Sequence, residues 1–173
     1  MKKFLIIALV FISIDATAQF RNPGRGIRQS QTPNQNQPPE FKFHPKKAIG
    51  IVIYDVDKAA KKIGLKKSKP EFKTFKSTLV KFNKELNGLA RINSFTFQQV
   101  KQNVEASHKL ATESRDYSIL TNAYKEASDT FKPIVDIVKE KEKSLDAALK
   151  SILNKKQLAK WEKYKRKQKT KRP

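Results

Sequence analysis

The seven residues Ile152-Leu153-Asn154-Lys155-Lys156-Gln157-Leu158 close one helical pattern and open another. Upstream of them lies the longest heptad-patterned segment of the chain, and downstream a basic C-terminal segment. Asn154 carries a side-chain oxygen that can accept an orphan backbone N–H of the turn that follows, the role of an N-cap. Gln157 then falls at the third helical position, where its side chain can reach back to the N–H of Asn154. Leu153 before the cap and Leu158 at the fourth helical position are spaced to form a hydrophobic staple. Cap, box and staple together set the angle at which one helix leaves another. The stretch therefore reads as a corner in an all-α fold.

The segment before the corner carries Tyr117, Leu120, Tyr124, Ala127, Phe131, Ile134, Val138, Lys141, Leu145, Ala148 and Ile152, with spacings that alternate between three and four. That is the seam of a helix packed along another helix. Ser114 or Asp116 is placed to open it. Pro133 lies inside, removes one backbone hydrogen bond and is expected to bend the helix near residues 128–130. A second seam, Phe72, Phe75, Leu79, Phe82, Leu86 and Leu89, keeps the same alternation, although Asn87-Gly88 would ordinarily stop a helix. Asn93 or Ser94 can cap the next element, whose weaker stripe is Phe97, Val100, Val104 and Ala111, with Phe95 just inside its start. Ser68-Lys69-Pro70-Glu71 reads as another S-x-x-E capping box, with Ser68 as cap and Glu71 as its partner.

Residues 48–63 can be read in two ways. Ile49-Gly50-Ile51-Val52-Ile53-Tyr54-Asp55-Val56-Asp57 looks like a buried strand ending in the Asp-x-Asp of haloacid-dehalogenase-type phosphatases. That chemistry needs a parallel sheet and further polar residues on later strands, and no later stretch reads as a strand. Ile49, Val52, Val56, Ala59 and Ile63 fit helical spacing, so the helical reading is preferred. Asp55 and Asp57 are then expected to be solvent-facing acids paired with nearby lysines.

The expected architecture is a helical hairpin or bundle of four to five helices with one long bent helix, occupying residues 48–164. Residues 19–47, rich in Pro, Gln and Asn, read as a disordered tether. Residues 1–18 read as a secretory signal peptide: Met1-Lys2-Lys3 is basic, an apolar run follows, and Ala16-Thr17-Ala18 is a cleavage site. Residues 165–173 read as a polybasic tail. The chain has no cysteine, so neither a lipid anchor at the cleavage site nor a disulfide is expected. The implied address is the periplasm, with no transmembrane helix.

Leu153-Asn154-Lys155-Lys156-Gln157 resembles the L-T-x-x-Q motif of the small Spy/CpxP-like periplasmic proteins, with Asn for Thr in the capping position. Where that family has its first such motif, this chain has Ser68-Lys69-Pro70-Glu71, without the Thr and the Gln. The resemblance implies an all-helical, cradle-shaped homodimer acting as a stress chaperone or adaptor, with unfolded or envelope proteins as partners.

The net charge is +22, and removal of the leader takes away two lysines and one aspartate to leave +21. Such a surface attracts polyanions. Outside the cytoplasm these are anionic lipid, lipopolysaccharide and acidic unfolded chains rather than nucleic acid. The candidate anion contacts are Lys163, Lys165, Arg166, Lys167, Lys169, Lys171 and Arg172, on a segment whose single acid is Glu162. An alternative function is therefore binding of anionic polymers or membrane surfaces through the basic C-terminal tail. The two histidines, His44 and His108, stand in no metal-ligand spacing. No phosphate loop or nucleophile motif is present, so neither enzyme activity, cofactor nor metal is expected.

Overall fold

The computed structural model describes residues 40–170. The expected signal peptide, the tether up to residue 39, and Lys171 and Arg172 lie outside the described residues. Among those described the fold is all-α, with no strand. Its helices are α1 (Pro45–Ala48), α2 (Val56–Ile63), α3 (Pro70–Ile92), α4 (Ser94–Ser114), α5 (Ser118–Ile152) and α6 (Lys155–Thr170). That is more than the four to five expected, because residues 45–63 hold two short helices and an extended link.

α5 is the spine. It is 35 residues long, roughly 50 Å at the usual helical rise. Its first half buries Ala123, Ala127, Phe131 and Ile134 in one apolar cluster with Phe97, Val100 and Val104 of α4. Its second half buries Val138, Leu145 and Leu149 in another, with Phe75, Leu79, Phe82 and Leu86 of α3. Each fully buried Leu or Phe contributes about 1.5–3 kcal/mol relative to exposure, so the two clusters outweigh any single polar contact. The α3 seam is as expected, and α3 runs through Asn87-Gly88 to Ile92 because Leu89 and Ala90 beyond it pack into the core. The α5 seam differs at its ends: Tyr117 and Tyr124 are exposed, and Ala123 and Leu149 are buried in place of Tyr124 and Ala148. An ideal helix drifts against a strict heptad over this length, which carries the buried stripe one residue aside. Within the second half, Lys141 donates to Glu85 of α3 at 2.7 Å. That hydrogen bond holds the Glu85 carboxyl below its ordinary pKa.

The corner between α5 and α6 forms as read. The backbone N–H of Gln157 donates to the Asn154 side chain at 2.9 Å, and that of Asn154 donates to the Gln157 side chain at 3.1 Å. Leu153 is buried and Leu158 half-buried in the same apolar cluster.

The expected box at Ser68 and Glu71 does not form. The N-cap position belongs to Lys69, with no side-chain cap bond, and α3 begins at Pro70. The residue before a proline is pushed out of the helical region, and Lys69 sits at φ −83°, ψ 140°. It therefore cannot serve as the first helical residue after Ser68, and Glu71 falls one position too early for the box.

The helical reading of residues 48–63 is corrected in its first half. Gly50 takes φ +78° and residues 51–55 are non-helical. Asp55 is the N-cap of α2, its carboxylate accepting from the Lys58 N–H at 2.9 Å. The Asn83 side chain of α3 substitutes for a neighbouring strand: it accepts from the Tyr54 N–H at 3.0 Å and donates to the Tyr54 carbonyl at 2.7 Å. The last expected tether residues are also part of the fold. Phe43 N–H donates to Glu105 of α4 at 2.8 Å, and the Phe41 ring stacks on His108 at 4.1 Å.

Replacing Asn154 by Ala is expected to lower the unfolding free energy by about 1 kcal/mol, whereas Ser68→Ala is expected to change it by less than about 0.5 kcal/mol. Urea denaturation followed by helical circular dichroism measures both. Equal losses would contradict the assignment of a working cap to one corner only.

Candidate functional site

The basic C-terminal segment is a helix with two faces. On its inner face Trp161 has no exposed surface. Its ring lies 5.0 Å from that of Tyr54 and meets Phe75 edge-on at 6.3 Å. One turn on, Tyr164 is buried beside Tyr54 and Trp161. The same helical period turns Lys165 inward and sets Lys169, still exposed, against α5. Lys165 Nζ donates to Asp146 at 2.6 Å and also pairs with Glu162. Lys169 Nζ donates to Glu142 at 2.6 Å. Partners four apart on α6 meet partners four apart on α5, running the opposite way. Burial pulls the Lys165 pKa down, but hydrogen bonding to Asp146 and Glu162 more than reverses this and holds it above the ordinary lysine value.

These contacts correct the expected polybasic tail. Residues 165–170 continue α6, and Lys165 and Lys169 are engaged with internal carboxylates rather than presented to an external anion. Lys163, Arg166 and Lys167 are exposed. Asp57 is a solvent-facing acid paired with Lys67 at 2.7 Å, as expected, whereas the Asp55 carboxylate caps α2 in place of pairing with a lysine side chain. No group of acidic or histidine side chains is placed to hold a metal among the described residues.

On the opposite side of α6 the chain forms a cleft against α2. Its walls are Lys58 and Lys62 of α2 and Lys160, Lys163 and Lys167 of α6, with Tyr164 and Gln168 completing the lining around a volume of about 510 Å³. All five lysines are exposed, and among the described residues none has a carboxylate within 4.0 Å. Of the acids nearest in sequence, Asp57 and Glu162 each face another partner, while Asp55 accepts from the backbone N–H of Lys58 and its charge reaches Tyr164 in the lining. The Lys160 ammonium lies against Gly64, the left-handed C-cap of α2, where an added Cβ would be 3.4 Å from Nζ. A cation is favoured there by the negative end of the helix dipole. The Tyr164 hydroxyl is held protonated by burial and by the charge of Asp55, so it remains a neutral donor.

Two unit charges about 10 Å apart repel by roughly 0.4 kcal/mol in water. Bringing two lysine rows together is therefore mildly unfavourable until an anion enters. Lys163 and Lys167 were among the residues expected from sequence; Lys58, Lys62 and Lys160 were not. Their signal was spacing: 58 and 62 share a face of one helix, and 160, 163 and 167 a face of another. Which two faces meet is a tertiary fact.

Asp146→Asn leaves the mostly buried Lys165 short of its carboxylate and is expected to destabilise the fold by about 1–3 kcal/mol. Because the folded-state pKa of Lys165 is raised, its contribution is complete below the unfolded-state value and is lost as pH rises through the folded one. The difference between this variant and the parent should therefore shrink above about pH 10.4, as measured by chemical denaturation across that range.

No family model, no curated protein and no solved structure matches this chain.

Proposed function

We propose that the protein is an exported, non-enzymatic binding protein that engages polyanions through the face formed by α2 and α6. The observation that carries this reading is the cleft of five exposed lysines with no carboxylate partner among the described residues. A net charge of +22 supplies long-range attraction that steers anions toward the molecule. The periplasmic address follows from the signal-peptide reading of residues 1–18. No helix of the described residues is long and apolar enough to cross a membrane.

Binding of dextran sulfate by the purified chain should weaken by about a hundredfold between about 50 and 200 mM salt, the dependence expected for roughly four ion contacts. Fluorescence anisotropy of the labelled polymer measures it. An affinity indifferent to salt, or none at the lower salt, overturns the reading.

A second reading is the chaperone-like one that the resemblance to Spy/CpxP-like proteins implies, with an unfolded envelope protein as client and a homodimer as the working form. What favours it is the pair Ile92 and Phe95 at the α3–α4 corner, 78% and 69% exposed. Large apolar side chains held in water at one corner offer weak contacts to an unfolded chain. Light scattering of an unfolded protein on dilution should be suppressed, should stay partly suppressed at high salt, and should rise again with Ile92→Ser/Phe95→Ser. Suppression equal in the parent and the double variant removes this reading.

A further inference from the structure

We propose that the α2–α6 cleft is a binding site for phosphomonoester headgroups of lipids in an anionic membrane surface. The inference rests on the polyanion-binding reading and names the class of ligand.

The outer face of α6 carries Lys156, Lys160, Lys163 and Lys167 at spacings of four, three and four. That is the alternation of a heptad seam, written in cations. The stripe extends over roughly 16 Å of helix at the usual rise. Lys58 and Lys62 form a shorter row on α2 across the cleft. A single small anion can occupy one position along such a stripe. A plane of headgroups meets the whole row at once, and clusters of four to eight cations on an amphipathic helix are a recurrent means of binding anionic lipid.

The lining suits a compact, highly charged headgroup. All five cations of the cleft are lysines and none is arginine. Arginine's planar fork clamps carboxylates and phosphates alike in two-point fashion, whereas lysine acts as a compact charge with rotatable donors. Rotatable point charges around one opening suit the three oxygens of a terminal phosphate, which carries about −1.5 to −2 near neutral pH. The Tyr164 hydroxyl and the Gln168 amide add neutral donors to the lining. A volume of about 510 Å³ is enough for a headgroup and lies within the range of roughly 300–1,000 Å³ typical of small-molecule sites. The aliphatic stems of the lysines can lie along apolar surface while their ammonium groups reach the phosphates.

The test is flotation of the full chain with phosphatidylcholine vesicles containing either phosphatidate, a phosphomonoester, or phosphatidylglycerol, a diester, matched in surface potential. Binding to phosphatidate should be tighter and should strengthen as pH rises through about 6, where the monoester gains its second charge, while binding to phosphatidylglycerol stays flat. Lys58→Gln/Lys62→Gln should weaken phosphatidate binding about 25-fold, taking roughly fivefold per lysine at an anionic surface. Lys58→Arg/Lys62→Arg keeps the charge and should leave phosphatidate binding within about twofold of the parent. Lys125→Gln/Lys132→Gln removes the same charge from exposed positions on α5 and should weaken it far less. At constant ionic strength, inorganic phosphate should fail to displace the vesicles, since it cannot span the stripe. The proposal is overturned if the two glutamine pairs lose equally, if the two lipids bind alike at every pH, or if inorganic phosphate displaces the vesicles. Dextran sulfate binding retained alongside any of those outcomes leaves the polyanion reading standing and removes the site alone. Loss of dextran sulfate binding as well removes both.

Discussion

Burial of Trp161 is the interaction on which the arrangement depends. Its ring is sealed among Tyr54, Phe75 and Tyr164, which come from the extended link, α3 and α6. A side chain of this size buries about 150–250 Å², corresponding to roughly 4–6 kcal/mol of transfer free energy at 25 cal/mol per Å². Against it stands the repulsion between the lysine row of α2 and that of α6. Between exposed charges in water this repulsion is small and is screened further by salt. Apolar burial wins, and a strongly basic helix is held face to face with another basic helix. The cleft is thus a stressed electrostatic feature maintained by a hydrophobic one.

The two faces of α6 divide its cations into kinds that differ in purpose. Lys165, turned inward, and Lys169, at the edge of the same face, meet Asp146 and Glu142. Their charges are balanced, and they help align α6 against α5. Lys156, Lys160, Lys163 and Lys167 look outward and are exposed. Composition alone treats all of them as one basic run. The difference arises from the 3.6-residue period, which turns positions four apart to the same side and separates those two apart.

Residues 40–55 add a layer that helical periodicity does not describe. Phe41 and Phe43 lie on α4 and α5, and Tyr54 enters the aromatic cluster with its backbone satisfied by the Asn83 side chain. Buried backbone groups need partners, and an extended segment without a sheet must obtain them from side chains. Asn83 lies within the α3 pattern at a position a heptad reading assigns no role. The stripe Ile49, Val52 and Val56 fits a helix, yet Gly50 in the left-handed region and the cap at Asp55 divide it.

The sequence by itself determined the features set by neighbours along the chain. The all-α class, the α3 seam and the reciprocal bonds of Asn154 and Gln157 follow from the period of the apolar residues and from capping chemistry that acts within one turn. The proline rule acts at the same range: Pro70 forces Lys69 out of the helix, so the failure of the Ser68–Glu71 box was also local. Tertiary structure alone decided which helix faces meet. Lys165 is an internal ion-pair partner only because Asp146 lies opposite it, and Lys58 and Lys163 line one cleft only because the apolar cluster that holds Ala59, Ile63 and Trp161 brings α6 onto α2. Contacts between residues roughly a hundred positions apart depend on how the apolar surfaces of the whole chain are buried at once, and no local pattern of charges carries that information.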